Sequence, residues 1–307
     1  MQTILGSGGQ IANELALELK RNFTNDIRLV SRKPVKVNDT DQLMSADLMD
    51  AKATSKAVVG SDIVYLTVGL PMSSELWEQK FPTMLKNTIV ACKEHDSKLV
   101  FFDNTYMYPR NSEPQTEDTP FKPIGRKATV RAQIATKLLS EMDAGNINAV
   151  ICRAPEFYGP GKTQSLTNTL IFNRIRQGKK PIVPINPNTK RSIIWTPDAS
   201  RAMALIGNTP DTYGQTWHLP IDENRLTYRE IINHVAKVTT HKISYITTPM
   251  WAFKIGSLLN PMVKETTELL PRYKQDNIFD SSKFTGKFPE FKITSLQEGI
   301  ATMLATN

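Results

Sequence analysis

The sequence lacks several features that mark particular classes of protein. It has only two cysteines in 307 residues, and both, Cys92 and Cys152, fall in segments with an apolar periodicity. Two buried thiols leave no disulfide framework, which favours a cytoplasmic location. No apolar run approaches the length of a membrane span, and we see no signal peptide ahead of the first predicted strand. We therefore expect no membrane partner.

Several motifs of other enzyme and binding classes are also missing. There is no Gly-x-Ser-x-Gly elbow and no Gly-Lys-Ser/Thr phosphate loop. The four histidines are far apart and lack ligand spacing, so we expect no metal. The net charge of +8 comes from scattered basic residues without an aromatic-interleaved patch. This pattern argues against a nucleic-acid partner. The positive charge indicates either small anionic ligands or simply a soluble surface.

A glycine-rich turn dominates the start of the chain. Residues 2–5 suit a short buried strand, and residues 10–22 suit a helix with apolar residues on one face. Backbone N–H groups at a helix N-terminus favour an anion, and glycine lets a diphosphate approach the backbone. We therefore predict a dinucleotide site; glycines that serve only the turn are the alternative. Its residues are Gly6, Ser7, Gly8, Gly9, Gln10 and Ile11.

The end of the second predicted strand, residues 27–30, bears on the choice of cofactor. In a nicotinamide-binding fold this end meets the adenosine ribose, and an acidic residue there binds the 2′-hydroxyl. This chain has Arg32 and Lys33 instead, and cations of this kind bind a 2′-phosphate. We therefore favour NADP over NAD, although an exposed pair of basic residues without a ligand remains the alternative.

The rest of the chain divides by pattern near residue 160. Up to Cys152, strands near 62–68 and 98–102 alternate with helices near 51–58 and 74–95, which predicts a doubly wound parallel sheet. Beyond it come prolines, short strands and helix caps, including capping boxes at Thr227-x-x-Glu230 and Thr294-x-x-Gln297. We therefore predict a cofactor domain over residues 1–160, with 190–215 packing back on it, and a smaller α+β domain, mainly substrate-binding, over 161–307.

One segment of the C-terminal half stands out as strongly apolar. Residues 250–253, Met-Trp-Ala-Phe, have helical spacing. We expect them in a core, or in the wall of an apolar substrate pocket.

Taken together, the motifs resemble those of the extended short-chain dehydrogenase/reductase family, the group of NAD(P)-dependent nucleotide-sugar epimerases and dehydratases. The turn Gly6-x-x-Gly9-x-x-Ala12 matches the family's cofactor loop. The run from Arg153 to Pro160 is similar to its Arg-Pro-x-Asn-x-Tyr-Gly-Pro segment. The resemblance implies a Rossmann-type fold and an oxidoreductase, epimerase or dehydratase acting on a small anionic substrate, a sugar or a nucleotide-linked compound. A homodimer is the candidate assembly.

The resemblance also implies roles for individual residues. Asp47 and Leu48 match the segment that contacts adenine, and Val68 and Gly69 match the loop beneath the cofactor. Residues that match substrate-contacting positions of the family are Glu156, Arg191 and Arg272. The family usually has an amide at the first of these positions. A carboxylate there is either a general base or a structural partner of Arg153.

The catalytic residues depart from the family pattern. The family carries a Ser or Thr after the strand that corresponds to residues 98–102, and a Tyr-x-x-x-Lys pair on the next helix. If Tyr108 matches the family's Tyr before Pro or Gly, Asn104 takes the Ser/Thr position, with Thr105 and Tyr106 beside it. The tyrosine of the helix is missing in every register that the spacing allows.

Two cations occupy the helix where the Tyr-x-x-x-Lys pair is expected. One register gives Lys127-x-x-x-Arg131, and others place Ile124 or Gly125 at the tyrosine. Lys127 and Arg131 are i,i+4 neighbours on one helical face. We predict catalytic roles for this pair together with the three residues of the loop, and the alternative is that the cations grip the cofactor or face water. If the site does not catalyse, the protein is an NADP(H)-binding sensor or regulator of the same fold.

Overall fold

The computed structural model describes residues 1–161 and 165–305. Eleven strands are assigned within these residues: β1 Gln2–Leu5, β2 Ile27–Ser31, β3 Gln42–Ser45, β4 Ile63–Leu66, β5 Lys98–Asp103, β6 Ala149–Arg153, β7 Glu156–Tyr158, β8 Ile182–Pro184, β9 Ile193–Trp195, β10 Thr216–His218 and β11 Ile246–Thr248. The α-helices within the same residues are α1 Gln10–Asn22, α2 Ala51–Val58, α3 Ser74–Glu94, α4 Arg126–Asp143, α5 Asn173–Arg176, α6 Thr196–Gly207, α7 Tyr228–Val238, α8 Met250–Leu259, α9 Pro261–Thr267, α10 Ser282–Lys287 and α11 Leu296–Ala305. A π-helical segment, Asn168–Phe172, and 3₁₀ segments at Pro210–Thr212 and Leu270–Lys274 complete the helical elements.

The first compact unit contains residues Met1–Met107, Pro123–Ala154 and Ala199–Leu219. Its centre is a seven-stranded parallel sheet with the order β10-β6-β5-β4-β1-β2-β3. Every residue of β1, β4 and β6 is buried, as expected where helices cover both faces of a parallel sheet. The predicted doubly wound parallel sheet is confirmed.

The edge strand β3 was missed by the sequence interpretation, so the strand predicted to be third in the chain is the fourth. Its residues, Gln-Leu-Met-Ser, are mostly exposed. An edge strand lacks the buried alternation by which strands are recognised. The helices α1 and α2 begin and end where the periodicity predicts.

The second compact unit contains residues Tyr108–Lys122, Pro155–Asp198 and Pro220–Asn307. It has two small parallel sheets, β7 with β9 and β8 with β11. Its core consists largely of aromatic and branched apolar side chains from β7, β9, α7 and α11. The functional boundary at residue 160 stays a prediction.

Two capping boxes predicted in this half have different outcomes. At α7 the Thr227 and Glu230 side chains each cap the other's backbone N–H, as predicted. At α11 the predicted Thr294 box is wrong by one residue, because Ser295 and Glu298 form the reciprocal pair. Thr294 instead donates its N–H and its hydroxyl to the carboxylate of Asp198. Among the described residues, no helix is both long enough and apolar enough to cross a bilayer.

Candidate functional site

The glycine loop between β1 and α1 has an open outer surface. Gly6 and Gly8 have φ of 99° and 96°, a region that L side chains rarely adopt. A Cβ on Gly6 would lie 2.8 Å from the Cα of Val68, so glycine lets the two loops touch. A Cβ on Gly8 or Gly9 would meet nothing within 4 Å. The loop therefore has packing on its inner side and room for a ligand on its outer side.

The polar groups of this loop are suited to an anion. Gly9 is the N-cap of α1 and provides no side-chain cap for its first N–H groups. The Oγ atom of Ser7 is buried and has no hydrogen-bond partner among the described residues. A buried hydroxyl without a partner is costly, and phosphate oxygens would accept its hydrogen bond. The open surface at Gly8 and Gly9 and the Ser7 hydroxyl would suit the diphosphate of a dinucleotide. The cofactor role predicted for Gly6 to Ile11 stays a prediction.

The predicted adenosine side of the site lies at the ends of β2 and β3. Arg32 and Lys33 are exposed, and the Arg32 carbonyl accepts a hydrogen bond from the Ser45 hydroxyl. Asp47 is exposed and accepts from the Met49 N–H at 3.0 Å. Parallel strands present their carboxyl ends at one edge, so these residues share an edge with the glycine loop.

The next two predicted contacts differ in exposure. The side chain of Leu48 belongs to the buried core, and its carbonyl accepts from the Asn87 side chain. Val68 is half-buried and Gly69 is exposed directly after it, at the end of β4. Leu48 would thus offer a cofactor little beyond its backbone, whereas Gly69 leaves the strand end open to one.

Lys127 and Tyr106 approach the same turn of α3. Lys127 is fully buried, and its Nζ donates to the Ser74 Oγ at 2.8 Å. The Tyr106 ring stacks on Trp77, with centroids 6.0 Å apart and planes 6° apart. Ser74 and Trp77 are three residues apart and therefore lie on one helical face. The structure thus brings together the two predicted proton-transfer candidates near the carboxyl end of β5.

The two residues that precede Tyr106 shape its loop. The Asn104 side-chain oxygen accepts from the Tyr106 N–H at 3.0 Å, and the Asn104 N–H donates to Asp103 Oδ1 at 2.8 Å. Thr105 is 5% exposed. Asn104 therefore fixes the backbone that carries Tyr106, whether or not it also contacts a substrate.

Arg131 belongs to a buried ionic cluster. Its Nη2 lies 2.5 Å from Asp103 Oδ1, and Arg153 Nε lies 3.2 Å from Asp103 Oδ2. All three side chains are 5% exposed or less. The Asp103 carboxylate lies between the two guanidinium groups and stabilises their positive charges in the protein interior, where water does not. The Arg131 guanidinium thus holds β5 and β6 to α4, and its predicted catalytic role stays a prediction.

Glu156 is the acceptor of a hydroxyl cluster in the second unit. Its Oε1 accepts from Thr167 at 2.5 Å and from Tyr228 at 3.0 Å, and its Oε2 accepts from Tyr273 at 3.0 Å. Burial, and then the Glu156 charge, raise the pKa of both Tyr228 and Tyr273. The phenols therefore stay protonated and act as donors to the carboxylate.

Arg191 completes this cluster. Its Nη2 lies 3.7 Å from Glu156 Oε2, its Nη1 donates to the Arg272 carbonyl at 3.1 Å, and its guanidinium covers the Tyr273 ring at 4.3 Å. Arg191 is 2% exposed. Its charge is largely engaged by protein groups. Whether Glu156 acts as a base stays a prediction.

Arg272 is half-buried and has a cationic neighbour that sequence reasoning missed. Burial, followed by the charge of Arg272, lowers the pKa of Arg110, while Glu268 opposes that shift. A pair of neighbouring arginines is a candidate site for an anion, and the substrate role of Arg272 stays a prediction.

Three residues near the candidate site were not predicted from the sequence, and the reason is the same for all three. Ser74, Trp77 and Arg110 become neighbours of the predicted residues only through folding. The one sequence signal for Ser74 is its place at the start of a capped helix after the Gly69 loop. Ser73 does cap that helix.

Comparison with known proteins identifies the fold and the family of the chain. No curated protein matches the sequence. A UDP-glucuronic acid 4-epimerase from Bacillus cereus, solved with UDP-glucuronic acid and NAD, is 15% identical with a TM-score of 0.79, covering 98% of this chain and 96% of that one. DesIV, a dTDP-glucose 4,6-dehydratase from Streptomyces venezuelae, is 13% identical with a TM-score of 0.80, covering 100% and 97%. WbmH from Bordetella bronchiseptica, solved with NAD+, is 16% identical with a TM-score of 0.77, covering 99% and 96%.

At these identities the likeness shows the fold alone. The family model described as the NAD dependent epimerase/dehydratase family matches residues 3–219, which is most of the chain. The predicted family resemblance is thereby confirmed. The chain belongs to the NAD dependent epimerase/dehydratase family, a family of enzymes.

Proposed function

We propose that the protein is an NADP(H)-dependent oxidoreductase of the epimerase/dehydratase type that acts on a small anionic substrate, a sugar or a nucleotide-linked compound. One observation carries the proposal. The open glycine loop and the buried Lys127 with its partner Ser74 lie at the same carboxyl edge of the central sheet. Cofactor and proton donor would therefore meet at one place.

The residues that would hold the cofactor follow from the loop geometry. Gly8, Gly9 and the N-terminus of α1 would take the diphosphate, with Ser7 donating to it. Arg32 and Lys33 would take a 2′-phosphate. The similar structures hold NAD, so the preference for NADP rests on these two cations alone. When bound, the nicotinamide supplies hydride chemistry to a substrate carbon.

Proton transfer is assigned to Lys127, with Tyr106 as the second candidate. The helix α4 contains no tyrosine, and its Lys127 ammonium is a buried donor that contacts Ser74. Ser74 would orient the ammonium, while Asn104 or Thr105 would orient the substrate oxygen. Removal of water from a site of this kind strengthens such contacts.

The substrate class is assigned from charge. Arg272 and Arg110 are partly exposed neighbours of like charge, which suits a phosphate or diphosphate. The Bacillus cereus epimerase is solved with UDP-glucuronic acid, which has such a group.

A second function is favoured by one observation. The helix α4 begins after Gly125 and carries neither a tyrosine nor a Tyr-x-x-x-Lys pair. A protein with this fold and no proton donor would bind NADP(H) as a sensor or regulator. Turnover of any substrate excludes this alternative.

The proposed function is tested by identifying what the protein binds. Mass spectrometry of ligands that copurify with the protein should reveal NADP(H), alone or with a nucleotide-linked compound. With NADP present, nucleotide diphosphates should raise the melting temperature, because a ligand that binds only the folded state stabilises it. Stabilisation by neutral apolar carbonyl compounds, with no effect of diphosphates, would contradict the substrate assignment.

A further inference from the structure

The helices α8 and α9 form a hairpin with an apolar surface. Trp251, Leu258, Leu259 and Met262 are 65%, 84%, 85% and 72% exposed. Neither helix contributes a buried residue. A Cβ on Gly256 would lie 3.5 Å from Val263, so the two arms pack closely against each other. Of the two expectations for residues 250–253, the core is wrong for Trp251, whereas Met250 and Phe253 pack against the core of the second unit.

The apolar residues occupy one face and the tip of this hairpin. Trp251, Ile255, Leu258 and Leu259 follow the i, i+4, i+7, i+8 spacing of a single helical face. Exposure is greatest at the turn between the arms, where α8 ends at Leu259 and α9 begins at Pro261. Exposed apolar surface of this extent marks an interaction site. A convex tip fits a deformable partner better than it fits a partner with a rigid groove.

The charges beside the tip select one class of partner. Lys254 and Lys264 are exposed, one on each arm. The only acidic residue between Met250 and Thr267 is Glu265, which is half-buried. The whole chain carries a net charge of +8. The hairpin therefore presents an apolar tip flanked by cations, which is the complement of an anionic lipid surface.

The hairpin also has a suitable depth. Leu258 follows Trp251 by seven positions in α8, a rise of about 10 Å along the helix axis. With the hairpin axis along the membrane normal, the tip leucines would therefore lie about 10 Å deeper than Trp251. With the leucines among the acyl chains, Trp251 lies at the headgroup level, where amphipathic rings are favoured. Lys254 and Lys264 lie between the tip and the level of Trp251, and their long side chains can extend back to the phosphates.

We propose that the α8–α9 hairpin attaches the protein to anionic phospholipid membranes, with Leu258, Leu259 and Met262 inserted and Lys254 and Lys264 on the headgroups. The attachment is peripheral. It differs from the expectation of no membrane partner, which the tests below decide, and it does not depend on the proposed enzymatic function.

The first test is sedimentation of the full chain with vesicles. Wild type should sediment with phosphatidylcholine vesicles that contain phosphatidylglycerol and much less with phosphatidylcholine alone. Leu258→Gln with Leu259→Gln should weaken binding by about 100-fold, because two leucines no longer leave water. Lys254→Gln with Lys264→Gln should weaken it by about tenfold or more, and only on the anionic vesicles.

Matched controls come from exposed residues of the other unit. Leu17→Gln with Leu43→Gln removes two leucines that are 39% and 44% exposed. Lys52→Gln with Lys86→Gln removes two exposed lysines. Neither control should change vesicle binding by more than about twofold. Equal losses in controls and hairpin variants would show nonspecific adsorption and overturn the proposal.

Tryptophan fluorescence gives a second readout. The other tryptophans, Trp77, Trp195 and Trp217, are 5%, 8% and 4% exposed, so a blue shift on vesicle addition reports Trp251. Trp251→Phe should abolish the shift. No sedimentation and no shift with either vesicle would overturn the proposal. Self-association of wild type without lipid, abolished by the leucine variant, would assign the face to a second copy if vesicle binding is absent.

Discussion

The Arg131 guanidinium lies 2.5 Å from the carboxylate of Asp103, and both side chains are 5% exposed or less. Loss of one partner leaves a buried charge with too few counter-charges. We therefore expect Arg131→Leu to lower the free energy of unfolding by about 3–5 kcal/mol, and by less to the extent that Arg153 compensates. Urea unfolding measures this change.

A control for this prediction lies on the same helix. Arg126 pairs with Glu78 at 2.5 Å, but the side chains are 57% and 39% exposed. Arg126→Gln should cost less than about 1 kcal/mol, because solvent screens such pairs. Similar losses for both variants would show that burial does not determine the strength of the Asp103 contact.

A substitution at Gly9 should affect cofactor binding without affecting folding. Its φ is −86°, and a Cβ there would meet nothing within 4 Å. Gly9→Ala should therefore change the free energy of unfolding by less than about 1 kcal/mol. If a diphosphate lies against this backbone, the methyl group should weaken cofactor binding by about tenfold or more. Calorimetric titration with NADP tests this, and unchanged affinity would place the cofactor elsewhere.

Gly6→Ala is the comparison. Its φ is 99°, and the new Cβ would lie 2.8 Å from the Val68 backbone. This variant should lose stability as well as affinity, because both the backbone conformation and the contact are strained.

The choice between NADP and NAD is tested at Arg32. Arg32→Asp should weaken NADP binding by about tenfold or more, since a charge-assisted phosphate contact contributes about 1.5–3 kcal/mol. Binding of NAD should be unchanged or stronger. Lys52→Asp places the same change on an exposed residue of α2 and should affect neither cofactor. Equal affinities for the two cofactors in the wild type would contradict the NADP assignment.

Local patterns were sufficient to predict most of the first unit. The helix α1 and the strand β1 have the predicted bounds because their apolar residues repeat at helical spacing or fill a buried run. The strand β3 lies at the sheet edge, where little side-chain burial is required, so its sequence carries no clear signal. At α11 both capping boxes fit the sequence, and the distant Asp198 decides between them by binding Thr294.

The candidate site was less predictable than the fold. Lys127 was identified by its place in the family helix, but its partner Ser74 is 53 residues away. Glu156 is expected from the sequence to face a substrate or Arg153, whereas its hydroxyl donors are Thr167, Tyr228 of α7 and Tyr273. Such contacts join residues that are far apart in the chain, so local sequence patterns do not predict them.

Buried tyrosines predict loss of stability at high pH. Burial raises the pKa of Tyr65, Tyr228 and Tyr273 above the ordinary value. In the unfolded chain each phenol ionises near pH 10, so the unfolded state releases protons that the folded state keeps. Stability is therefore complete below about pH 10 and falls above it by about 1.4 kcal/mol per pH unit for each such tyrosine. Tyrosinate absorbance should rise together with unfolding.

Tyr65→Phe gives the corresponding variant. At neutral pH it should be less stable, because the Tyr65 hydroxyl donates to the Gln2 side chain at 2.9 Å. Above pH 10 the free energy of unfolding of this variant should fall less steeply than that of the wild type. The difference in slope should correspond to the release of about one proton fewer on unfolding. An unchanged slope would show that Tyr65 ionises without unfolding.

The last prediction concerns the proton donor. Lys127→Met keeps the length of the side chain and removes the ammonium that contacts Ser74. If Lys127 is the general acid, turnover of an identified substrate should fall by about 10²–10⁴ while NADP affinity is retained. Tyr106→Phe should have this effect instead if the phenol has the role, and its stacking on Trp77 should preserve the fold. Loss of NADP binding in Lys127→Met would make the lysine a cofactor clamp. Full activity in both variants would contradict the site assignment.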